Sequence, residues 1–174
     1  MNLATQEKMF KIGDKVSHPA FGVGNIKNIE EKSVLGKRRS YYVLDLVVNE
    51  MTLMIPINKA EEIGLRYIIK PETVPEILDI LSAKMDENMG ENYKQRIKSQ
   101  AELVDSGNIL KVAEVVRNYA SRSKQEKLSS TERGLYERAH KILIAEIGIT
   151  YNIEKNKAKC LIKKAIKENS KKRK

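Results

Sequence analysis

The chain has no tryptophan, one cysteine, two phenylalanines and four prolines in 174 residues, and aromatic residues make up only 5% of it. With Cys160 alone, no disulfide can close within the chain and no set of thiolates can hold zinc, so the fold rests on packing. Nowhere do 18 apolar residues follow one another, and the opening MNLATQEKMFKIGDK has no apolar run behind a basic start. Membrane spanning and secretion are therefore not expected, and the protein reads as cytoplasmic. The two histidines, His18 and His140, are far apart and neither adjoins an acidic residue. The carboxylate pairs Glu30-Glu31 and Glu61-Glu62 are adjacent in sequence, so on a strand or helix they point to different faces and form no acid/base dyad. The expectation is a protein with no catalytic residues, no metal site and no cofactor.

Hydrophobic residues make up 41% and charged residues 32%, a balance that describes a globular chain rather than a disordered one. Lysine and arginine total 33 against 23 aspartates and glutamates, a net charge of +10. The excess is unevenly placed. Residues 1–83 hold 11 basic and 11 acidic side chains, 11 − 11 = 0, whereas residues 84–174 hold 22 and 12, 22 − 12 = +10. Two modules with chemically different partners follow, one of them facing a polyanion.

The first module reads as strands: Lys15–His18, Gly22–Ile29, Ser40–Val48 and Met51–Pro56 are rich in β-branched and aromatic residues, alternate in part, and are punctuated by Gly, Pro and Asn. Four or five short strands in so few residues predict a small, strongly curved SH3- or Tudor-like β-barrel. The Gly22-Val-Gly24 pair lacks the rest of any phosphate-binding motif and reads as a site of tight curvature. Lys37-Arg38-Arg39 follows Gly36 and reads as three cations gathered at a hairpin tip.

The second module reads as helices, making the whole an α+β chain with an all-α second half. Thr73 is a candidate cap, with Val74, Ile77, Leu78 and Leu81 as the buried stripe. Residues 86–90 read as a connector. The stripe Tyr93, Ile97, Ala101 and Val104 is followed by Ser106-Gly-Asn108 and the stripe Ile109, Val112, Ala113, Val116 and Tyr119. Residues 121–127 read as loop. Ser129-Ser-Thr-Glu132 predicts a capping box for a helix closing near Gly148, and a last helix over 153–167 buries Ala158, Leu161, Ile162 and Ala165, with Cys160 half buried. The expected divisions are a leader at 1–8, a barrel at 9–68, a helical domain at 71–169 and a basic tail at 170–174.

The string Met9-Phe-Lys-Ile-Gly-Asp-Lys-Val16, with His18-Pro19, Phe21-Gly-Val-Gly24, Gly36, Tyr41-Tyr-Val-Leu44 and Leu53-Met-Ile-Pro56, resembles the N-terminal domain of the CarD/CdnL family of bacterial transcription regulators. That domain type is similar to the polymerase-interacting domain of transcription-repair coupling factor. The likeness continues through Ser106-Gly-Asn108, Lys111-Val-Ala-Glu-Val-Val-Arg117, Leu128-Ser-Ser-Thr-Glu132 and Ala139-His-Lys-Ile-Leu143, and covers about residues 9 to 165. It implies that the barrel docks on the RNA polymerase β subunit and that the basic helices touch promoter DNA at the upstream edge of the bubble. It also implies an aromatic wedge at the DNA fork. The family's wedge is commonly Trp; counted back from Ser106-Gly107, the matching residue here is Tyr93. The family's basic polymerase-facing positions fall on Lys32 and on Met54, the second a departure, with Lys37, Arg38 and Arg39 as neighbouring cations.

As the first member of a helical stripe, Tyr93 has a competing reading as core; an exposed ring in the first helical turn is the reading that the resemblance implies. Lys94, Arg96, Lys98, Arg133 and Arg138 are the candidate DNA contacts, with Lys111, Arg117, Arg122 and Lys124 further on. No base-reading helix signature is present, so backbone binding largely independent of sequence is expected. The full expectation is a monomeric, non-enzymatic regulator that stabilises the open promoter complex. The alternative is a small RNA-binding or ribosome-associated protein using the barrel, against which the neutral charge of the barrel half weighs.

Overall fold

The structure is a computed structural model that describes residues 10–34, 36–47, 50–86, 89–90 and 92–171. The expected leader and most of the basic tail lie outside the described residues. The chain divides between Ile68 and Ile69 into two compact units.

The first unit is a five-stranded antiparallel sheet in the order β4-β3-β2-β1-β5, built from β1 (Lys15–His18), β2 (Gly22–Val34), β3 (Lys37–Leu46), β4 (Thr52–Pro56) and β5 (Arg66–Tyr67). A 3-10 turn over Ile57–Lys59 and a short helix α1 (Ala60–Ile63) precede β5. The scarcity of aromatics makes each one count. Phe10 stands edge-on to Tyr42 with ring centroids 5.6 Å apart and to Tyr67 at 4.9 Å, and its backbone N–H donates to the Tyr42 hydroxyl at 3.2 Å. Around this pair Val16, Ile26, Leu44, Leu46, Ile55 and Leu65 are buried in one core. His18 is structural: its Nδ1 accepts the Ala20 N–H at 3.0 Å, closing the turn after β1, and its ring lies against Phe21.

Two glycines bend the sheet. Gly22 has φ +79°, and Gly24 lies so close to β3 that an added Cβ would sit 2.6 Å from the Asp45 carbonyl oxygen. The register shifts between Ile26 and Asn28, leaving Lys27 as an extra residue whose ammonium pairs with Asp45 at 3.1 Å. β2 runs on to Val34 and β3 begins at Lys37, so the hairpin is longer than the sequence pattern suggests. β4 pairs with β3 only as far as Tyr41, so Glu31–Val34 and Lys37–Ser40 form a two-stranded arm with no third strand beside it among the described residues. The apolar alternation that marks a strand stops where the core stops, although the pairing continues. The strand reading to Val48 ends on a residue outside those described.

The second unit contains α2 (Thr73–Ser82), α3 (Tyr93–Asp105), α4 (Ile109–Arg122), α5 (Ser130–Thr150) and α6 (Lys155–Lys171). α2 packs on α4 and α6, α3 on α4 and α5, and α6 on α2 and α5. The core gathers Ile77, Leu81, Val112, Val116, Tyr119, Leu143, Ile147 and Ile162. Four sequence readings need correction. Thr73 is the first helical residue rather than the cap, and Glu72 at the cap makes no side-chain capping bond. α4 runs to Arg122 because Ser121 is buried with its last turn. Within α3 only Val104 of the expected stripe is fully buried, beside Gln100. Cys160 is exposed, since the buried face of α6 is set by Ala158, Ile162 and Ala165 and a residue two positions from Ala158 turns away from it. The buried Glu146 carboxylate accepts the Ile69 N–H at 3.0 Å while the Thr150 hydroxyl donates to the Ile69 carbonyl at 3.2 Å, fixing the start of this unit against α5.

Gly24→Ala is expected to destabilise the chain by about 1–3 kcal/mol, because backbone and not a flexible side chain blocks the new methyl. A thermal melt indistinguishable from the parent's would refute the close approach.

Candidate protein and nucleic-acid interfaces

In the sheet, pairing decides which cations share a face. Lys32 lies opposite Arg39, Val34 opposite Lys37, and Val43 opposite Met54, so all six project from the side away from the core residues Tyr42, Leu44 and Ile55. Lys32 Nζ donates to Met54 Sδ at 3.1 Å and lies 3.7 Å from Glu30. Arg38 is paired with Ser33 and points to the opposite face of the arm. The three cations open strand β3, with Lys37 paired to Val34 next to the hairpin turn, and the pleat separates Arg38 from Lys37 and Arg39. The five candidate residues resolve into four that share an outer face with the exposed apolar groups of Val34 and Met54, and one that does not.

In the helical unit, the site is organised by the start of α5. Ser129 caps the helix: its hydroxyl accepts the Glu132 N–H at 3.2 Å, and the Glu132 carboxylate accepts the Ser129 N–H at 2.9 Å, completing the capping box. The same carboxylate accepts from Arg96 Nε of α3 at 3.0 Å and lies 3.3 Å from Arg122 Nε of α4. Its side chain is only 3% exposed. Three helices thus meet at one buried charge. Burial would push the Glu132 carboxyl up, but the Ser129 backbone bond and the Arg96 guanidinium outweigh it and hold the group below its ordinary value. Tyr119, fully buried close by, is pushed up to about 12 by burial and then by the Glu132 charge, so its phenol stays neutral.

Tyr93 sits on this framework. It opens α3 behind Asn92, whose side chain accepts the Gln95 N–H at 3.0 Å, and its ring is 48% exposed. The phenol oxygen is 3.2 Å from Ser129 Oγ, and the Arg96 guanidinium carbon lies 5.8 Å from the ring centroid. The hydrogen bonds with Ser129 and Thr131 hold the Tyr93 phenol below its ordinary value. The core reading of this residue is therefore wrong. Tyr93, Arg96, Arg122, Lys127, Ser129 and Arg133 line part of an open groove of about 700 Å³.

The other candidate DNA contacts divide. Lys94, Lys98 and Arg133 are exposed. Arg96 is mostly buried and committed to Glu132, and Arg138 binds Asp105 at 2.7 Å, tying α5 to the end of α3. Arg117 donates to the neighbouring Asn118 side chain, and Arg122 also binds Glu126 at 2.6 Å. The Ser129–Glu132 spacing is visible in the sequence, but no local signal shows that arginines from two other helices converge on the same carboxylate. Among the described residues no group of three His, Cys, Asp or Glu side chains is placed to hold a metal, and no helix is long and apolar enough to cross a membrane.

Glu132→Ala is expected to cost about 3–5 kcal/mol by leaving buried guanidinium charge uncompensated. Because the folded-state value is depressed, the stability that this carboxylate contributes is complete above its ordinary value of 4.5 and is lost as pH falls through the lower folded one. Urea melts at neutral pH and at successively lower pH should therefore show a smaller acid loss for Glu132→Gln than for the parent. Parallel losses in the two proteins would contradict the assignment.

Residues 10–69 match the family model described as "CarD-like/TRCF RID domain", and residues 76–163 match "CarD, C-terminal domain". The chain is 30% identical over 151 residues to "Putative transcription factor YdeB" of Bacillus subtilis (strain 168), an alignment covering 87% of this chain and 98% of that protein. It is also similar to a solved structure, "CdnLNt from Myxoccoccus xanthus", at 49% identity and a TM-score of 0.31, covering 36% of this chain and 89% of that one. With both halves matched in order, and a relative aligned over nearly its full length, the chain belongs to the CarD/CdnL family of bacterial transcription regulators.

Proposed function

We propose that this protein is a non-enzymatic transcription regulator that binds the RNA polymerase β subunit through the outer face of its sheet and upstream fork promoter DNA through its helical unit, so stabilising the open promoter complex. The observation that carries the reading is the Tyr93 ring. It is a half-exposed aromatic held by Ser129 and Arg96 at the edge of a groove lined by further cations, in a chain of this family. A phenol ring has a π-face for an unstacked base, and stacking on an aromatic contributes about 1–3 kcal/mol per base. Lys94, Lys98 and Arg133 are exposed cations of the same unit, which supports a reading in which they meet phosphates.

The mechanism is a bias between two promoter states. A protein that contacts the open complex better than the closed one shifts the equilibrium by that difference in affinity, tenfold for each increment of about 1.4 kcal/mol. The sheet unit supplies attachment to the polymerase. Its exposed Lys32, Lys37 and Arg39 suit an acidic protein surface, with Met54 and Val34 as apolar contact between them.

Tyr93→Ala is expected to change stability by no more than about 1 kcal/mol, since it removes a half-exposed ring, an exposed hydrogen bond with Ser129 and one cation–π contact, while shortening the lifetime of promoter open complexes. Thermal melting and filter-retention decay on one preparation separate the outcomes: a large loss of melting temperature with unaltered decay would retire the wedge. The charge reversals Lys32→Glu and Arg39→Glu should reduce retention of RNA polymerase on the immobilised chain, whereas Arg38→Glu, on the opposite face, should leave it unchanged. Equal losses from all three would contradict the face assignment.

A further inference from the structure

The positive charge of this chain is far more concentrated than a split into halves reveals. Residues 84–154 hold 12 basic and 11 acidic side chains, 12 − 11 = +1, whereas residues 155–174 hold 10 basic and one acidic, 10 − 1 = +9. The groove around Tyr93 lies in a segment that is nearly neutral. Almost the whole excess is on α6 and the residues after it.

The placement on α6 is specific. Its buried face is Ala158, Ile162 and Ala165, packed into the helical core, and Lys155, Lys157, Lys159, Lys163, Lys164 and Lys167 are all exposed. Lys155, Lys159, Lys163 and Lys167 recur every four residues, so they form one ridge about 18 Å long at about 1.5 Å per residue. None of the six makes an ion pair with a described residue. A merely solvated helix face intersperses glutamates that pair at four-residue spacing, while like charges at that spacing destabilise the helix. Glu168 is the one acidic residue of α6, so the helix carries a self-repulsion that a polyanion relieves.

We infer that the lysine face of α6 is a second nucleic-acid surface, separate from the Tyr93 groove, that grips the phosphate backbone of duplex DNA without reading sequence. The chemistry selects this partner. The ridge spans about five base-pair steps at about 3.4 Å each, and each phosphate neutralised releases condensed counterions. No aromatic side chain lies on α6 to stack an unpaired base, which disfavours single strands. Its apolar face is already buried in the core, so the helix cannot insert into a bilayer. α6 packs on α2 and α5, whereas the groove is built from α3, α4 and the first turn of α5. The inference rests on the helical unit being the DNA-binding part and assigns the bulk of its non-specific affinity to a surface outside the groove.

The test compares three full-length proteins by fluorescence anisotropy with a short mixed-sequence duplex over a range of salt: the parent, a quadruple variant K155Q/K159Q/K163Q/K167Q, and a groove variant K127Q/R133Q at two exposed cations that line the groove. All substitutions are at exposed positions, and unchanged melting confirms that the fold is kept. The expected result is at least a tenfold loss of duplex affinity in the quadruple variant, with a salt slope shallower by about 0.9 for each lost phosphate contact, up to about 3.6, and a smaller change in the groove variant. Loss confined to the groove variant would overturn the α6 surface while leaving groove binding in place. Failure of the parent to bind duplex DNA would overturn both readings. Tighter binding by the parent to single-stranded RNA or to phosphatidylserine vesicles than to duplex would overturn the choice of partner.

Discussion

A carboxylate taken out of water must be compensated by charge and by hydrogen bonds, or it takes up a proton instead, and in the helical unit that requirement at Glu132 arranges everything around the candidate DNA site. Glu132 accepts from its own cap residue and from Arg96, with Arg122 at 3.3 Å, which brings the ends of three helices to one point. Arg96 is then fixed under one face of Tyr93, while Ser129, held by the same capping box, meets the phenol oxygen. The ring keeps half its surface in solvent yet has both its ends positioned. Such pre-ordering lowers the entropy lost when a ring stacks on a base, so it works in the direction of affinity.

The barrel obeys a different constraint. Its core is built on Phe10 and Tyr42, and the pleat of β2 and β3 carries the inside-outside alternation beyond that core into the arm of Glu31–Val34 and Lys37–Ser40. The consequence is chemical rather than structural: of three consecutive cations, Lys37 and Arg39 join Lys32 and Met54 on one face and Arg38 is sent to the other. A partner surface approaching that outer face meets Lys32, Lys37 and Arg39, with Glu30 beside Lys32, and the apolar side chains of Val34 and Met54. The glycines that bend the sheet make the small barrel possible, Gly24 by letting β2 approach the Asp45 carbonyl closely.

Much of this was legible in the sequence. The Tudor-like barrel, the succession of helices, the capping box at Ser129 and Glu132 and the family all follow from residue patterns, because periodicity, caps and turn glycines are local signals. What was not legible is long-range. Local spacing made Tyr93 the start of a buried stripe; the ring is exposed because the first turn of α3 overhangs Ser129 instead of the core. Arg96 and Arg138 look like free cations in the sequence, but acidic partners more than thirty residues away, Glu132 and Asp105, claim them. The arm leaves no such local signal, because its strands have no core to face and so show no apolar alternation. The buried face of α6 is readable in the sequence; what the structure adds is that all six of its lysines from Lys155 to Lys167 are exposed.

The proposed function joins polymerase attachment, a positioned ring and diffuse phosphate contacts in a regulator that would act by its presence at the fork. The most direct measurement places a photo-crosslinking benzophenone side chain at position 93 of the full chain and irradiates it in a complex of RNA polymerase with promoter DNA. The account predicts crosslinks to DNA confined to the upstream edge of the bubble and dependent on bubble opening. Crosslinks to protein alone, or to duplex DNA without regard to the fork, would contradict it.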